Sequence, residues 1–124
     1  MPDLDMTILY VANPPRSAGF YADITDRPPV ELSPGFAMFV LGNGSRLGLW
    51  KSDDVAPKVA GTAPAGSEVC FTVETPDAVR ALHTEWSRRG MTIAQEPVEM
   101  DFGHTFVALD PDGHRLRVFA PILR

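Results

Sequence analysis

A short β-hairpin motif occurs twice in this sequence, and this repetition constrains the fold more than any other feature. The second copy, Thr105–Phe119, contains the turn sequence DPDG, in which proline presets φ and glycine accepts a positive φ. The first copy, Phe36–Trp50, contains Asn-Gly, a strong signal for a hairpin turn. Superposing Gly44 on Gly113 also aligns Leu47 with Leu116 and Trp50 with Phe119. The chain therefore reads as one module used twice.

The same order of elements precedes each hairpin. In the first half the sequence predicts a strand at Thr7–Val11, a helix that starts at Pro14 after an Asn13 cap and ends before Arg27, and an edge strand at Val30–Leu32. The second half repeats this order, with a strand at Glu68–Val73, a helix that starts at Pro76 after a Thr75 cap and is stopped by Gly90, and a strand at Ile93–Val98. Residues 52–66, rich in Pro, Ala, Gly and Asp, have no apolar periodicity and are predicted to be a linker.

These elements predict an α+β fold in which two tandem βαβββ modules, residues 1–51 and 67–124, form curved mixed sheets around a concave cavity. At 124 residues and 44% hydrophobic, the chain is long and apolar enough for a single domain.

Composition limits the partners that we expect. The single cysteine, Cys70, rules out an internal disulfide framework and a cysteine-built zinc site. A formal charge of -5 without a basic cluster argues against nucleic acid or an anionic membrane. No secretory signal or run of membrane-spanning length is present, so we expect a soluble cytoplasmic protein whose partner is a small molecule or another protein.

Period-two alternation divides the strand side chains between two faces. If each hairpin has a two-residue loop, one face is aliphatic and packs under the helices; it consists of Met38, Val40, Leu47, Leu49, Val107, Leu109, Leu116 and Val118. The other face mixes aromatic, small and arginine side chains, namely Ala37, Phe39, Arg46, Gly48, Trp50, Phe106, Ala108, Arg115, Arg117 and Phe119. If both sheets curve the same way, this mixed face lines a small-molecule site. A second core or a dimer interface would recruit the same residues, and a register shift of one would exchange the faces.

The repeated βαβββ order, together with TILYVANPPRSAGFY near the start and DPDGHRLRVF near the end, resembles the vicinal oxygen chelate superfamily of glyoxalases, bleomycin resistance proteins and ring-cleaving dioxygenases. The resemblance extends over nearly the whole chain. Metal-using members hold the ion with four His or Glu side chains, and the matching positions here are Met6, Gly48, Glu68 and Arg117. Only the glutamate is a competent ligand, and an arginine would repel a cation. The resemblance therefore implies a site that uses no metal and no cofactor and binds a molecule.

Within the superfamily, RLGLW, DFGHTF and DPDGH resemble segments of phenazine antibiotic resistance proteins. Proteins of that group are binding proteins that sequester a planar aromatic compound between aromatic side chains in a cavity of a homodimer. The resemblance implies a metal-independent, homodimeric binding protein without catalytic residues that confers resistance. Two alternatives stay open: a glyoxalase-like or dioxygenase-like lyase or oxidoreductase with an atypical site that uses His104 and Glu68 as acid and base, or a dimer that binds no ligand.

The candidates for ligand contact are Trp50, Arg117, Glu68, Phe39, Gly48, Phe106, Tyr10 and His104. Trp50 would offer a stacking surface, and Gly48 would leave room for a ring against Phe39. Arg117 would bind a ligand carboxylate or pair with Glu68. Phe39, Phe106 and Tyr10 would form walls, and His104 would lie at the cavity mouth. Each also has a structural explanation: a core aromatic residue, a β-bulge at the glycine, or a histidine in a surface loop.

Overall fold

The computed structural model of the protein describes residues 4–57 and 68–122, which form two βαβββ modules in separate compact units. The first module consists of β1 (Met6–Val11), α1 (Pro14–Thr25), β2 (Glu31–Leu32), β3 (Phe36–Val40), β4 (Arg46–Lys51) and a short 3₁₀ helix (Ser52–Asp54). The second consists of β5 (Glu68–Thr72), α2 (Pro76–Arg88), β6 (Thr92–Met100), β7 (Gly103–Leu109) and β8 (Arg115–Pro121). Of the predicted linker at 52–66, only residues 52–57 are among those described.

The two sheets have the same topology. Their strand orders are β1-β4-β3-β2 and β5-β8-β7-β6, and each sheet remains open. In each, the first strand runs parallel to the last, and the other neighbours are antiparallel. The mixed α+β fold and the repetition of the βαβββ order are thus confirmed. No helix in the described ranges is both long and apolar enough to cross a membrane.

The helices begin where the sequence predicts. Asn13 Oδ1 accepts the N–H of Arg16 at 3.0 Å, and Thr75 Oγ1 accepts the N–H of Ala78 at 3.1 Å. Each cap satisfies a backbone donor of the first turn that has no partner within the helix, and the proline that follows needs none. Both helices bury an aromatic residue against their own sheet, Tyr21 from α1 and Trp86 from α2.

The hairpin loops are longer than predicted. Val40 pairs with Arg46, and Leu109 with Arg115, so each hairpin register differs by one residue from that of a two-residue loop. Side-chain hydrogen bonds hold the longer loops: Asn43 Oδ1 accepts the backbone N–H of Ser45 at 2.9 Å, and Asp110 Oδ1 accepts that of His114 at 2.8 Å. A register shift of one residue moves every side chain of a strand to the other face of the sheet. The side chains of β3 and β7 therefore lie on the faces opposite to those predicted.

The face assignment of these two strands was therefore wrong. Phe39 and Ala37 lie on the helix side with Leu47 and Leu49; Phe106 and Ala108 lie there with Leu116 and Val118. Phe39 and Phe106 are fully buried. We call the side opposite each helix the open face. The first open face carries Met6, Ile8, Tyr10, Phe36, Met38, Val40, Arg46, Gly48 and Trp50. The second carries Glu68, Cys70, Thr72, Gln95, Thr105, Val107, Leu109, Arg115, Arg117 and Phe119.

Candidate functional site

Trp50 and Tyr10 form an aromatic pair on the first open face. They are register partners on the parallel strands β4 and β1, and both side chains are half-buried. Their ring centroids lie 6.4 Å apart with an interplanar angle of 75°, an edge-to-face arrangement. Such a pair fixes the orientation of the indole and leaves an aromatic surface that a flat apolar molecule can contact.

Gly48 allows three apolar side chains to approach the first sheet closely. A Cβ at Gly48 would lie 3.1 Å from Met6 Cε and from Phe36 Cζ, and 3.3 Å from Ile8 Cγ1. The strand is regularly paired on both sides at this position, so Gly48 does not mark a bulge. The predicted slot between Gly48 and Phe39 is wrong, because Met6, Ile8 and Phe36 occupy the space over the glycine and Phe39 lies on the opposite face.

Apart from Arg46, the rest of the first open face is apolar and partly accessible. Met6, Ile8 and Val40 are exposed, and Phe36 and Met38 are half-buried. Methionine side chains adapt their shape at low energetic cost, so they suit a surface that packs against an aromatic ligand. The first module thus offers apolar contact area and one aromatic pair.

Arg117 is the centre of a polar network on the second open face. Its Nε donates to Glu68 Oε1 at 2.7 Å, and its Nη1 donates to Thr105 Oγ1 at 3.1 Å and to Gln95 Oε1 at 3.3 Å. The guanidinium also lies over the ring of Phe102, 5.4 Å from its centroid. The side chains of Arg117 and Glu68 are only 14% and 31% exposed, so the ion pair is partly desolvated. Charge-assisted bonds in such surroundings hold a guanidinium in one orientation.

Sequence reasoning missed Thr105, Gln95 and Phe102. Thr105 aligns with Phe36 in the repeat, and with the correct loop length it falls on the same face as Arg117. Gln95 faces Val107 because β6 has irregular pairing on either side of it, and period-two alternation contains no signal for such irregularities. Phe102 lies in the turn between β6 and β7, where its ring centroid is 6.1 Å from that of Phe119.

The structure places His104 away from Arg117. Its Nε2 lies 3.1 Å from Glu99 Oε1, and it borders a groove beside the start of α2 that Pro76 and Val79 also line. His104 has the same strand parity as the buried Phe106, so it belongs to the helix side of the sheet. His104 and Glu68, the acid and base of the enzyme alternative, thus lie on opposite sides of the second sheet.

The positions that correspond to metal ligands do not fit a divalent cation. In the first module, the Met6 methyl group packs over Gly48, and neither residue supplies a hard donor. In the second, Glu68 is already paired with the permanently charged Arg117. Among the described residues, no group of three or more His, Cys, Asp or Glu side chains is placed to hold an ion. The described residues at these positions therefore do not supply the donor set that a divalent cation needs.

Cys70 lies beside Arg117 on the second open face and is exposed. Partial burial raises the pKa of its thiol, the nearby Glu68 carboxylate raises it further, and Arg117 acts in the opposite direction. The thiol is thus protonated at neutral pH and is a poor nucleophile.

Residues 3–118 match the family model of the Glyoxalase/Bleomycin resistance protein/Dioxygenase superfamily. The chain belongs to this superfamily. It is similar to the phenazine antibiotic resistance protein EhpR of Enterobacter agglomerans, with 29% identity over 117 residues that cover 92% of this chain and 88% of EhpR.

Solved structures of other proteins show the same superfamily fold. The solution NMR structure of protein ATC0852 from Agrobacterium tumefaciens is 46% identical, with a TM-score of 0.91 over 99% of this chain and 100% of that one. A glyoxalase-related enzyme from Fulvimarina pelagi is 18% identical, with a TM-score of 0.82 over 97% of this chain and 88% of that one. The second similarity concerns the fold alone, since superfamily members that share this fold differ in function.

Proposed function

We propose that this protein binds a planar aromatic antibiotic or metabolite of the phenazine type without a metal and confers resistance by sequestering it. The observation that carries the proposal is the Trp50–Tyr10 pair on the apolar open face of the first module. The similarity to EhpR, a protein named for phenazine resistance, supports the same ligand class.

A phenazine-type molecule has a fused, flat ring system with two large apolar faces. The half-buried indole of Trp50 can cover one such face, and aromatic pairs contribute about 0.5–1.5 kcal/mol beyond the area they bury. Met6 and Met38, on the same open face, can adjust to ring substituents. Binding of this kind needs no bond to form or break, which is consistent with a sequestering role.

The side chains around the Trp50–Tyr10 pair bear on the choice of ligand. Met6, Ile8, Phe36 and Met38 lie on the same open face, and these apolar side chains offer no partner for a ligand charge. We therefore propose that the preferred ligand is uncharged. The other proposed partner is a second copy of the chain, in a homodimer, and the proposed location is the cytoplasm.

The proposal is tested by titrating the purified protein with neutral phenazine while tryptophan fluorescence is recorded. The chain has two tryptophans, and Trp86 is buried in the core with 2% exposure. We expect saturable quenching that persists in Trp86→Phe and disappears in Trp50→Phe. If Trp86→Phe retains its fluorescence but shows no saturable quenching, Trp50 does not contact the ligand. If a calorimetric titration of the unmodified protein with phenazine also gives no heat, the ligand class is wrong.

A further inference from the structure

We infer that Asn43 is a site of spontaneous deamidation, and that Ser45 promotes the reaction. Asn43 and Gly44 occupy the exposed loop between β3 and β4. The reaction requires attack by the following backbone nitrogen on the side-chain amide, and glycine hinders this attack least because it has no Cβ. Gly44 has a φ of 87°, and a Cβ built on it would have no heavy atom within 4 Å, so the surroundings of the nitrogen are open.

Two donors already point at the oxygen on which negative charge would develop. Asn43 Oδ1 accepts the backbone N–H of Ser45 at 2.9 Å and the Ser45 hydroxyl at 2.6 Å. Attack on Cγ makes Oδ1 an oxyanion in the tetrahedral intermediate. Donors that are in place before the charge forms stabilise such an intermediate strongly. The loop itself fixes Ser45, whose carbonyl accepts the N–H of Leu41 at 2.8 Å.

The reaction balances with water as the only co-reactant. The Gly44 nitrogen gives its proton to solvent hydroxide and bonds to Asn43 Cγ, which closes a five-membered succinimide. The bond from Cγ to the side-chain nitrogen breaks, and ammonia leaves with a proton taken from water. A second water then opens the ring at either carbonyl and leaves aspartate or isoaspartate at position 43. One interaction opposes the first step, because the Gly44 N–H donates to Leu41 O at 2.9 Å and must be released.

The two products have different structural consequences. An aspartate at position 43 is compatible with the loop, because the equivalent position of the second hairpin carries Asp112. An isoaspartate adds a methylene group to the main chain of the loop that sets the register between Val40 and Arg46. Register errors move side chains between faces, so this product would disturb the first open face, which carries Trp50.

The chain contains an internal control. Its other asparagine, Asn13, precedes Pro14, whose nitrogen carries no proton and cannot form the succinimide. The folded protein is incubated in mildly alkaline buffer, digested with trypsin and mapped by mass spectrometry, with an isoaspartyl methyltransferase assay for the second product. We expect the mass gain of an amide-to-acid exchange in the peptide that contains Asn43 and none in the peptide that contains Asn13.

Ser45→Ala removes one of the two donors, and we expect deamidation to slow by roughly tenfold, a smaller effect than in enzyme sites because the loop is exposed to water. Ser45→Thr keeps the hydroxyl and should restore the rate. Circular dichroism checks that each variant is folded. The inference is overturned if Asn43 gains no mass while the urea-unfolded chain does, or if the folded Ser45→Ala variant deamidates as fast as the unmodified protein.

Discussion

Arg117 Nε donates to Glu68 Oε1 at 2.7 Å, and this bond joins two positions whose counterparts in the first module are Gly48 and Met6. There the Met6 methyl group lies over the glycine instead. The duplicated fold thus places an ion pair in one sheet at the position where the other sheet has an apolar contact. This difference gives the two open faces different chemistry, one apolar and one polar with balanced charge.

Removing the guanidinium should destabilise the protein. We expect Arg117→Met to lower the free energy of unfolding by about 1–3 kcal/mol, because Glu68, Thr105 and Gln95 lose a partner in partly buried surroundings. Urea unfolding measures the loss. The matched control is Arg46→Met, because Arg46 pairs with Asp5 at 3.3 Å and both side chains are largely exposed, at 44% and 60%. That variant should lose less than about 0.5 kcal/mol, and equal losses in the two variants would contradict the role assigned to the Arg117 network.

Cys70 should react slowly with iodoacetamide at neutral pH. Burial and the Glu68 carboxylate raise the pKa of its thiol, so the rate should rise with pH and reach its midpoint above the ordinary thiol range. Glu68→Gln removes a negative charge and should speed the reaction at neutral pH, whereas Arg117→Met removes a positive charge and should slow it. Mass spectrometry of the alkylated protein gives the rates. A slower reaction in Glu68→Gln, or a faster one in Arg117→Met, would show that these charges do not control the thiol.

Even a small side chain at position 48 should destabilise the protein. The Cβ of Gly48→Ala would lie 3.1 Å from Met6 Cε and from Phe36 Cζ, so both must shift, and we expect a loss of about 1 kcal/mol in unfolding free energy. Gly19→Ala is the control, because its Cβ meets nothing within 4 Å and alanine favours the helix by about 0.5–1 kcal/mol. Thermal unfolding should therefore show a lower melting temperature for Gly48→Ala and a higher one for Gly19→Ala. A stabilised Gly48→Ala would mean that the side chains over Gly48 are not closely packed.

Charge selectivity tests the proposed ligand class. Because apolar side chains surround the Trp50–Tyr10 pair on the first open face, we expect neutral phenazine to bind at least as tightly as phenazine carboxylate in calorimetric titrations. A preference of the unmodified protein for the carboxylate would contradict the charge argument while leaving phenazine binding itself intact.

Much of the fold follows from local signals that the structure confirms. The two proline-led helices, the repeated βαβββ order and the shared face of Tyr10, Gly48 and Trp50 all come from capping, repetition and alternation. The sequence also offered Glu68 as one possible partner of Arg117, and the structure pairs them. The wrong face assignments of β3 and β7 come from the hairpin loops. The Asn43 and Asp110 side chains stabilise a loop length there that residue type does not reveal. Phe39 and Phe106 were assigned to the wrong face for that reason, whereas His104, predicted in a loop, lies in β7 because this strand begins at Gly103.

Phe39 and Trp50 should therefore respond to substitution in opposite ways. Phe39 is fully buried beneath α1, so Phe39→Leu should lower the free energy of unfolding by about 1 kcal/mol and leave quenching by phenazine unchanged. Trp50 is half-buried on the open face, so Trp50→Leu should change stability less and weaken binding more. Urea unfolding and calorimetric titration with phenazine provide the two measurements. A Phe39→Leu protein that folds with unchanged stability but no longer binds phenazine would show that Phe39 contacts the ligand. That result would contradict the hairpin register on which both open faces depend.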